Sequence, residues 1–333
     1  MLVNRRCLIC VLTPIIGVTK IAGVPRIIMN ESSNPQGKFV GVEVSAATLL
    51  AVCLDGGGNV VDSFKADRFN GRDPLDRIAD FVEEAKVRFG DFSAVGIAVP
   101  GLINRETGNV AFSANIPEHS SLNISEAVRT ATGLDVVVEN DADAAAYGEY
   151  KLGAGRDSES LFYATIGRGV GGAFIFNGEV WHGASGYAGE FGYVAINSEG
   201  MRLEDVASSA NIVRRTRNRF GRDGTSSLGT LPEEQIDISE ILKAADDGDD
   251  FARLMLERTG MYVGTAIASV INLLNIEKIV VGGEITHPFV IDAIIGRAKE
   301  FSFARSFENT EIMQGELGEN AAAIGAALIA YKN

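Results

Sequence analysis

The sequence predicts an α/β protein made of two similar halves with a cleft between them, and three observations carry that prediction. The chain has 333 residues, 46% hydrophobic and 22% charged, too long for one small domain and apolar enough for a large buried core. A strand, a turn of small residues, a second strand, a glycine turn and a third strand occur near residue 40, and the same order restarts near residue 162. Segments with helical spacing of apolar residues are interleaved with the strands in both halves.

Phe39 to Leu54 reads as two apolar strands joined by small and hydroxyl residues. Asp55-Gly56-Gly57-Gly58-Asn59 is a turn, and Val60 to Phe64 a third strand. Leu75, Ile78, Ala79, Phe81, Val82 and Ala85 recur at helical spacing and predict an amphipathic helix over 74–89. Ala94 to Val99 is a buried strand that stops at Pro100-Gly101. A helix over 125–132, a strand over 135–139 and an alanine-rich helix over 143–152 complete the first half. In the second half, Leu161 to Ile166 and Ala173 to Phe176 are strands on either side of Gly167-Arg168-Gly169-Val170-Gly171-Gly172, and Asn177-Gly178 is a hairpin turn. Helices follow over 212–220, 238–246 and 251–274; Ile279-Val280-Val281 is a strand, and 320–331 a helix of small residues.

A net charge of −14 argues against nucleic acid and anionic membranes as partners. The densest basic run, Arg214-Arg215-Thr216-Arg217-Asn218-Arg219, has the spacing of one solvated helix face. Three cysteines make no disulfide framework, which fits a reducing compartment and a cytoplasmic location, and the lone Cys7-x-x-Cys10 is a weak metal signal. The apolar run after Asn4-Arg5-Arg6 is interrupted by Pro14 and too short to span a bilayer. Met29 opens a polar leader into the first strand, so translation is expected to start there, with residues 1–37 a poorly packed extension.

Backbone amides in glycine turns can approach phosphate with no side chain in the way. Six motifs give this general feature a specific setting: GIAVPGLIN (96–104), FSANIP (112–117), ENDADAAAYGEY (139–150), TIGRGVGGAFIFNGEVWHGASGYAGEFGY (165–193), LEDVAS (203–208) and VVGGE (280–284). In this order and at these separations they resemble the ROK family of sugar kinases and sugar-responsive regulators, from about Phe39 to the C-terminus. The resemblance implies the two-lobed actin/hexokinase-like (ribonuclease H-like) ATPase fold with a central cleft. Its smaller lobe would be 38–138 plus 318–333, and its larger lobe 139–317.

The resemblance also implies ATP- and Mg²⁺-dependent phosphorylation of a hexose or N-acetylhexosamine at the C6 hydroxyl, as in glucokinases. Asp141 would be the general base, and Gly101, Asn115, Asn140, Asp141, Glu190 and Glu204 the sugar pocket. Ser45, Thr48, Gly167, Arg168, Gly169, Gly171, Gly282 and Gly283 would meet the nucleotide. Family members are often dimers through the larger lobe, so a homodimer is expected; the apolar stretch 262–274 serves either there or in the core. Plainer roles compete: Asp141 as a helix N-cap, Glu190 and Glu204 as surface acids, Gly101 and Asn115 as turn residues.

Departures from the family fall on the phosphate and zinc sites. Where its kinases carry Asp, an aliphatic residue, Gly-Gly-Thr-Lys, this chain has Glu43-Val44-Ser45-Ala46-Ala47-Thr48, without the glycines or the lysine. Arg168 replaces a threonine and either supplies charge to a phosphate or occludes the site. Tyr193 stands in place of a histidine, and Val194 to Arg202 contains no cysteine, so the family's zinc site is expected to be absent and its loop held by packing alone. Three functions follow in order of expectation: a sugar kinase using ATP, a non-catalytic sugar-binding regulator without a DNA-binding domain, and a kinase with another donor such as polyphosphate.

Overall fold

The computed structural model describes residues 37–68, 73–104, 107–113, 122–220 and 225–332. The readings on Cys7, Cys10, Met29, the extension as far as residue 36, and Asn115 lie outside the described residues. The strands are β1 (Phe39–Val44), β2 (Thr48–Leu54), β3 (Val60–Asp67), β4 (Ala94–Val99), β5 (Leu102–Ile103), β6 (Val110–Phe112), β7 (Asp135–Asn140), β8 (Ser160–Ile166), β9 (Val170–Phe176), β10 (Glu179–Val180), β11 (Lys278–Gly282) and β12 (Glu311–Gln314). The helices are α1 (Pro74–Phe89), α2 (Ile124–Thr132), α3 (Asp141–Leu152), α4 (Glu204–Ala207), α5 (Ser209–Phe220), α6 (Ile238–Asp246), α7 (Asp250–Leu274), α8 (Pro288–Phe301), α9 (Ala304–Glu308) and α10 (Ala321–Lys332).

The repeat read in the sequence is a repeat of topology. One sheet has the order β3-β2-β1-β4-β7 and the other β10-β9-β8-β11-β12. Each is an antiparallel three-strand meander extended by two parallel strands. The parallel strands need crossovers that cover the sheet, and α1 and α2 provide them in the first half. Pro74 at the first helical position and the Asp73 carboxylate, which accepts from Leu75 N at 2.9 Å, start α1; Gly90 in the left-handed region ends it.

Three apolar cores result. The first sheet packs on α1 and α2, and the second on the helices of the 209–301 region. The third lies between the sheets and is built from α3 and α10. Nearly all of α10 is buried, and its residues are small: Ala321, Ala322, Ala323, Ile324, Gly325, Ala326, Ala327, Leu328. A Cβ on Gly41 of β1 would stand 1.8 Å from Ala323 O, and one on Gly96 of β4 only 1.9 Å from Ala326 O. A Cβ on Gly325 would stand 1.7 Å from Ala144 O of α3. The helix therefore rests backbone to backbone on the first sheet and on α3, which in turn contacts β8 and β9 of the second.

Glu149, buried in α3, fixes the approach to α10. Its carboxylate accepts from Ala154 N (2.9 Å), Glu316 N (3.1 Å) and Leu317 N (2.9 Å), which satisfies a charge that burial would otherwise penalise.

Two readings change. Helix α3 starts at Asp141, two residues earlier than the alanine run suggests, because Asn140 caps it. The basic run of α5 is not one solvated face: Arg214 donates to Asp205 O and Asn211 Oδ1, Arg215 to Thr259 Oγ1, and Arg217 to Ile236 O and Glu234 O. These cations are occupied in joining α5 to its neighbours. Among the described residues no helix is long and apolar enough to cross a membrane.

Gly325→Ala is expected to destabilise the protein by about 1–3 kcal/mol in urea unfolding, because a methyl group has no room at the α3–α10 contact. Gly296→Ala in α8, where a Cβ meets nothing within 4 Å, is expected to gain about 0.5–1 kcal/mol.

Candidate active site

The centre of the site is the junction of β7 with α3. Asn140 Oδ1 accepts from Ala142 N (2.8 Å) and Asp143 N (3.0 Å), while its Nδ2 donates to Gly101 O at 2.9 Å. One amide thereby caps the helix and anchors the loop after β4, so Asn140 positions its neighbours. The capping role that competed for Asp141 belongs to Asn140. Asp141 accepts from Ala142 N at 3.0 Å, and burial holds its carboxyl above the ordinary range despite that bond.

Gly101 has φ +135°, and a Cβ there would stand 2.5 Å from Phe112 O. Its turn role and its place beside the cleft are two sides of one constraint.

Asp141 opens onto a cleft of about 1040 Å³, which Asn140, Gly101, Glu190 and Glu204 also line. Glu204, the first residue of α4, accepts from Val170 N at 3.0 Å. Glu190 precedes a short 3₁₀ turn anchored by Phe191, whose ring packs edge-on to Phe162 at 5.0 Å. The Glu190 carboxyl is raised by burial first, then by the charges of Glu204 and Asp141. Three predicted site carboxylates thus share one electrostatic neighbourhood.

The predicted nucleotide residues line the same cleft with one exception. Ser45 and Thr48 border it, but their hydroxyls, 3.0 Å apart, close their own turn: Ser45 Oγ donates to Thr48 O and accepts from Thr48 N. Gly167, Arg168 and Gly169 line it from the β8–β9 turn and Gly171 from the start of β9, and Arg168 is exposed. That turn is tied to the start of α5 by Ser209 N donating to Gly167 O at 2.7 Å. Gly283, at φ +93°, borders the cleft where a Cβ would stand 2.5 Å from Ile166 O. Gly282 is off the cleft wall; it is buried, and a Cβ there would stand 2.2 Å from Tyr163 Oη.

The loop without cysteines is held by more than packing. Ala195 bridges Arg202, Asn197 Oδ1 accepts from Glu199 N and Met201 N, and the Arg202 guanidinium lies 4.4 Å over the exposed Tyr193 ring. Most of the loop is exposed, so hydrogen bonds rather than buried area define it.

Sequence reading missed three features. Glu43 lines the cleft, and its carboxyl is raised to about 7 by burial and then by Asp141, with Lys65 and Arg168 opposing. Its place at the head of the altered loop was the available signal. Lys65 enters the cleft from β3. His182 Nε2 lies 3.5 Å from Glu139 Oε2 and 3.6 Å from Asp143 Oδ2; among the described residues these are the one set of three or more His, Cys, Asp or Glu side chains with ligand atoms close enough to share a metal ion. Glu139 and Asp143 lie four residues apart across the β7–α3 junction, and no sequence signal adds His182, which follows β10 of the other sheet.

The ROK family profile matches residues 39–333. The chain belongs to the ROK family. This ROK protein is 31% identical over 311 residues to the glucokinase of Thermotoga maritima, covering 89% of the chain and 98% of that protein. A ROK family glucokinase from Streptomyces griseus, solved with glucose and AMPPNP, superposes with TM-score 0.81 at 27% identity, over 89% of this chain and all of that one. A ROK family transcriptional regulator, a homolog of the E. coli MLC protein, superposes with TM-score 0.80 at 30% identity, over 90% of this chain and 78% of that one. The actin/hexokinase-like fold expected from the motifs is therefore the fold of the chain.

Glu43 keeps its proton up to about pH 7 in the folded ROK protein, against an ordinary value of 4.5. Between those values the folded state holds more protons than the unfolded one, so stability falls as pH rises through the window and levels off above it. Glu43→Gln removes that fall. In metal-free buffer the variant should match the parent near pH 4.5 and exceed it at pH 8 by at most about 3 kcal/mol in urea unfolding. The same difference at both pH values would contradict the assignment.

Proposed function

We propose that this ROK protein is a sugar kinase that transfers the γ-phosphoryl group of ATP to the C6 hydroxyl of a hexose or N-acetylhexosamine, with Asp141 as general base. The observation that carries the reading is the Asp141 carboxyl at the start of α3, raised by burial and facing a cleft it shares with Glu190 and Glu204. A raised carboxyl is a better proton acceptor near neutral pH, and such a base contributes roughly 10²–10⁴-fold. Glu190 and Glu204 suit pairs of ring hydroxyls because each carboxylate accepts more than one hydrogen bond. Closure of the lobes, with α10 as part of the smaller one, would exclude water as a competing acceptor.

The donor set also suits Mg²⁺. Glu43 and Asp141 are oxygen ligands close enough for one charge to raise the other, and a cation there relieves that repulsion. These two carboxylates would hold the ion, which supplies charge neutralisation on the phosphoryl oxygens. Arg168 contributes fixed charge from the opposite sheet. The lack of cysteine over 194–202 supports a loop without zinc. Exposed Leu273, Phe301 and Phe303 support a homodimer through the larger lobe. A cytoplasmic location accords with the sparse cysteines.

A second reading, a sugar-binding regulator without catalysis, is favoured by the Ser45–Thr48 turn, whose hydroxyls are spent on themselves, and by the likeness to the MLC homolog.

A coupled ADP-release assay across a hexose panel separates the two. Asp141→Asn is expected to lower kcat by about 10²–10⁴-fold with the sugar KM little changed. Turnover that survives the substitution would overturn the assigned base. No turnover with any sugar, together with a sugar-dependent rise in Tm, would establish the regulator reading. Arg168→Thr is expected to reduce kcat/KM for ATP; an increase would mean that the guanidinium occludes the site.

A further inference from the structure

The cleft wall is strongly acidic, and among the described residues its only cations are Lys65 and Arg168. A triphosphate entering such a cleft is repelled unless a cation meets it. Arg168 comes from the β8–β9 turn of the second sheet. Lys65 comes from β3 of the first, where Lys65 pairs with Leu50 and Asp67 with Thr48. Directly paired residues of an antiparallel ladder project from one face, and side chains two apart share it, so Lys65 and Thr48 point to the same side. Both line the cleft. Lys65 and Arg168 thus reach one cleft from opposite sheets.

Lys65 Nζ stands 2.6 Å from Glu319 Oε2, and the two side chains retain 47% and 69% of their exposure. An ion pair this exposed is held weakly and exchanges readily for a more highly charged partner. Glu319 sits in the turn before α10 and borders the cleft as well.

We propose that Lys65 binds the phosphates of the nucleotide donor from the first sheet, resting on Glu319 until the donor displaces it. The proposal rests on the kinase reading. It accounts for a phosphate-side turn, Ser45 to Thr48, that holds no cation of its own: the charge is supplied one strand away.

The test is binding of AMPPNP with Mg²⁺ by calorimetry to the full chain, alongside initial rates with ATP. Lys65→Met is expected to weaken AMPPNP binding about tenfold or more and to raise the KM for ATP in parallel, with the sugar KM and the ligand-free Tm unchanged. AMP, which lacks the outer phosphates, is expected to bind parent and variant alike. Lys65→Arg is expected to retain binding, and Thr48→Lys added to Lys65→Met to restore part of it. Glu319→Gln, by releasing the ammonium, is expected to tighten AMPPNP binding. Equal AMPPNP affinity for the parent and Lys65→Met overturns the proposal and leaves the kinase reading standing. A parent protein that binds no AMPPNP overturns both.

Discussion

Backbone contact between α10 and the elements around it sets the geometry of the whole molecule. Where Gly41, Gly96 and Gly325 lie, no side chain separates α10 from β1, β4 or α3, so carbonyl oxygens occupy space that a methyl group would fill. Close packing of this kind has little compliance, because relief at one contact requires movement of a whole helix. The consequence reaches the site directly. Asp141 is the first residue of α3, so its distance from the β1–β2 turn is fixed by how deeply α10 seats between α3 and the first sheet. Glu149, near the other end of α3, takes three backbone amides and fixes the chain entering α10. The carboxylate proposed to do chemistry and the one that does structure stand on the same helix.

The cleft that this packing creates is an acidic one. Burial raises Asp141, Glu43 and Glu190, and the charges of neighbouring carboxylates add to burial for Glu43 and Glu190. Part of the cost at Asp141 is offset by its place in the first turn of α3, where the helix dipole favours negative charge. A neutral polyol suits such a wall, since carboxylates accept from its hydroxyls without repulsion. An anion does not, and it is admitted only where cations reach in. In the proposed kinase, the division of the cleft into a sugar side and a phosphate side would follow from where the few positive charges lie.

Much of the fold was legible because the central strands are short apolar runs, several of them stopped by a glycine turn, and this punctuation recurs in both halves. The start of α3 was misplaced because Asp141 and Ala142 read locally as part of a polar connection, while the Asn140 cap that makes them helical is a three-dimensional fact. Helix α8 went unread even though Pro288 opens it and Val290, Ile294 and Ala298 mark its buried face at i, i+4 spacing. The predicted site residues within the described chain gather in one place, apart from Gly282. Glu43 stood at the head of the altered loop, whereas Lys65 and the approach of His182 to Glu139 and Asp143 stayed hidden because strand register and tertiary contact create them.

The glycines themselves explain why motif retention and catalysis are separable here. Gly172 gives room to the ring of Phe162 and the Cβ of Phe191, Gly189 rests on Gly172 O, and Gly282 faces Tyr163, all contacts of the packed interior. A member of this family that had lost phosphoryl transfer would still need them, because a Cβ at any of these places collides with neighbouring backbone or a packed ring. Such positions report on packing rather than on phosphoryl transfer. Whether this chain transfers a phosphoryl group turns instead on groups the fold tolerates losing: under the proposed function, the charge at Asp141, its neighbour Glu43, and the cations Lys65 and Arg168. Their joint presence around one cleft is what the proposed kinase reading rests on.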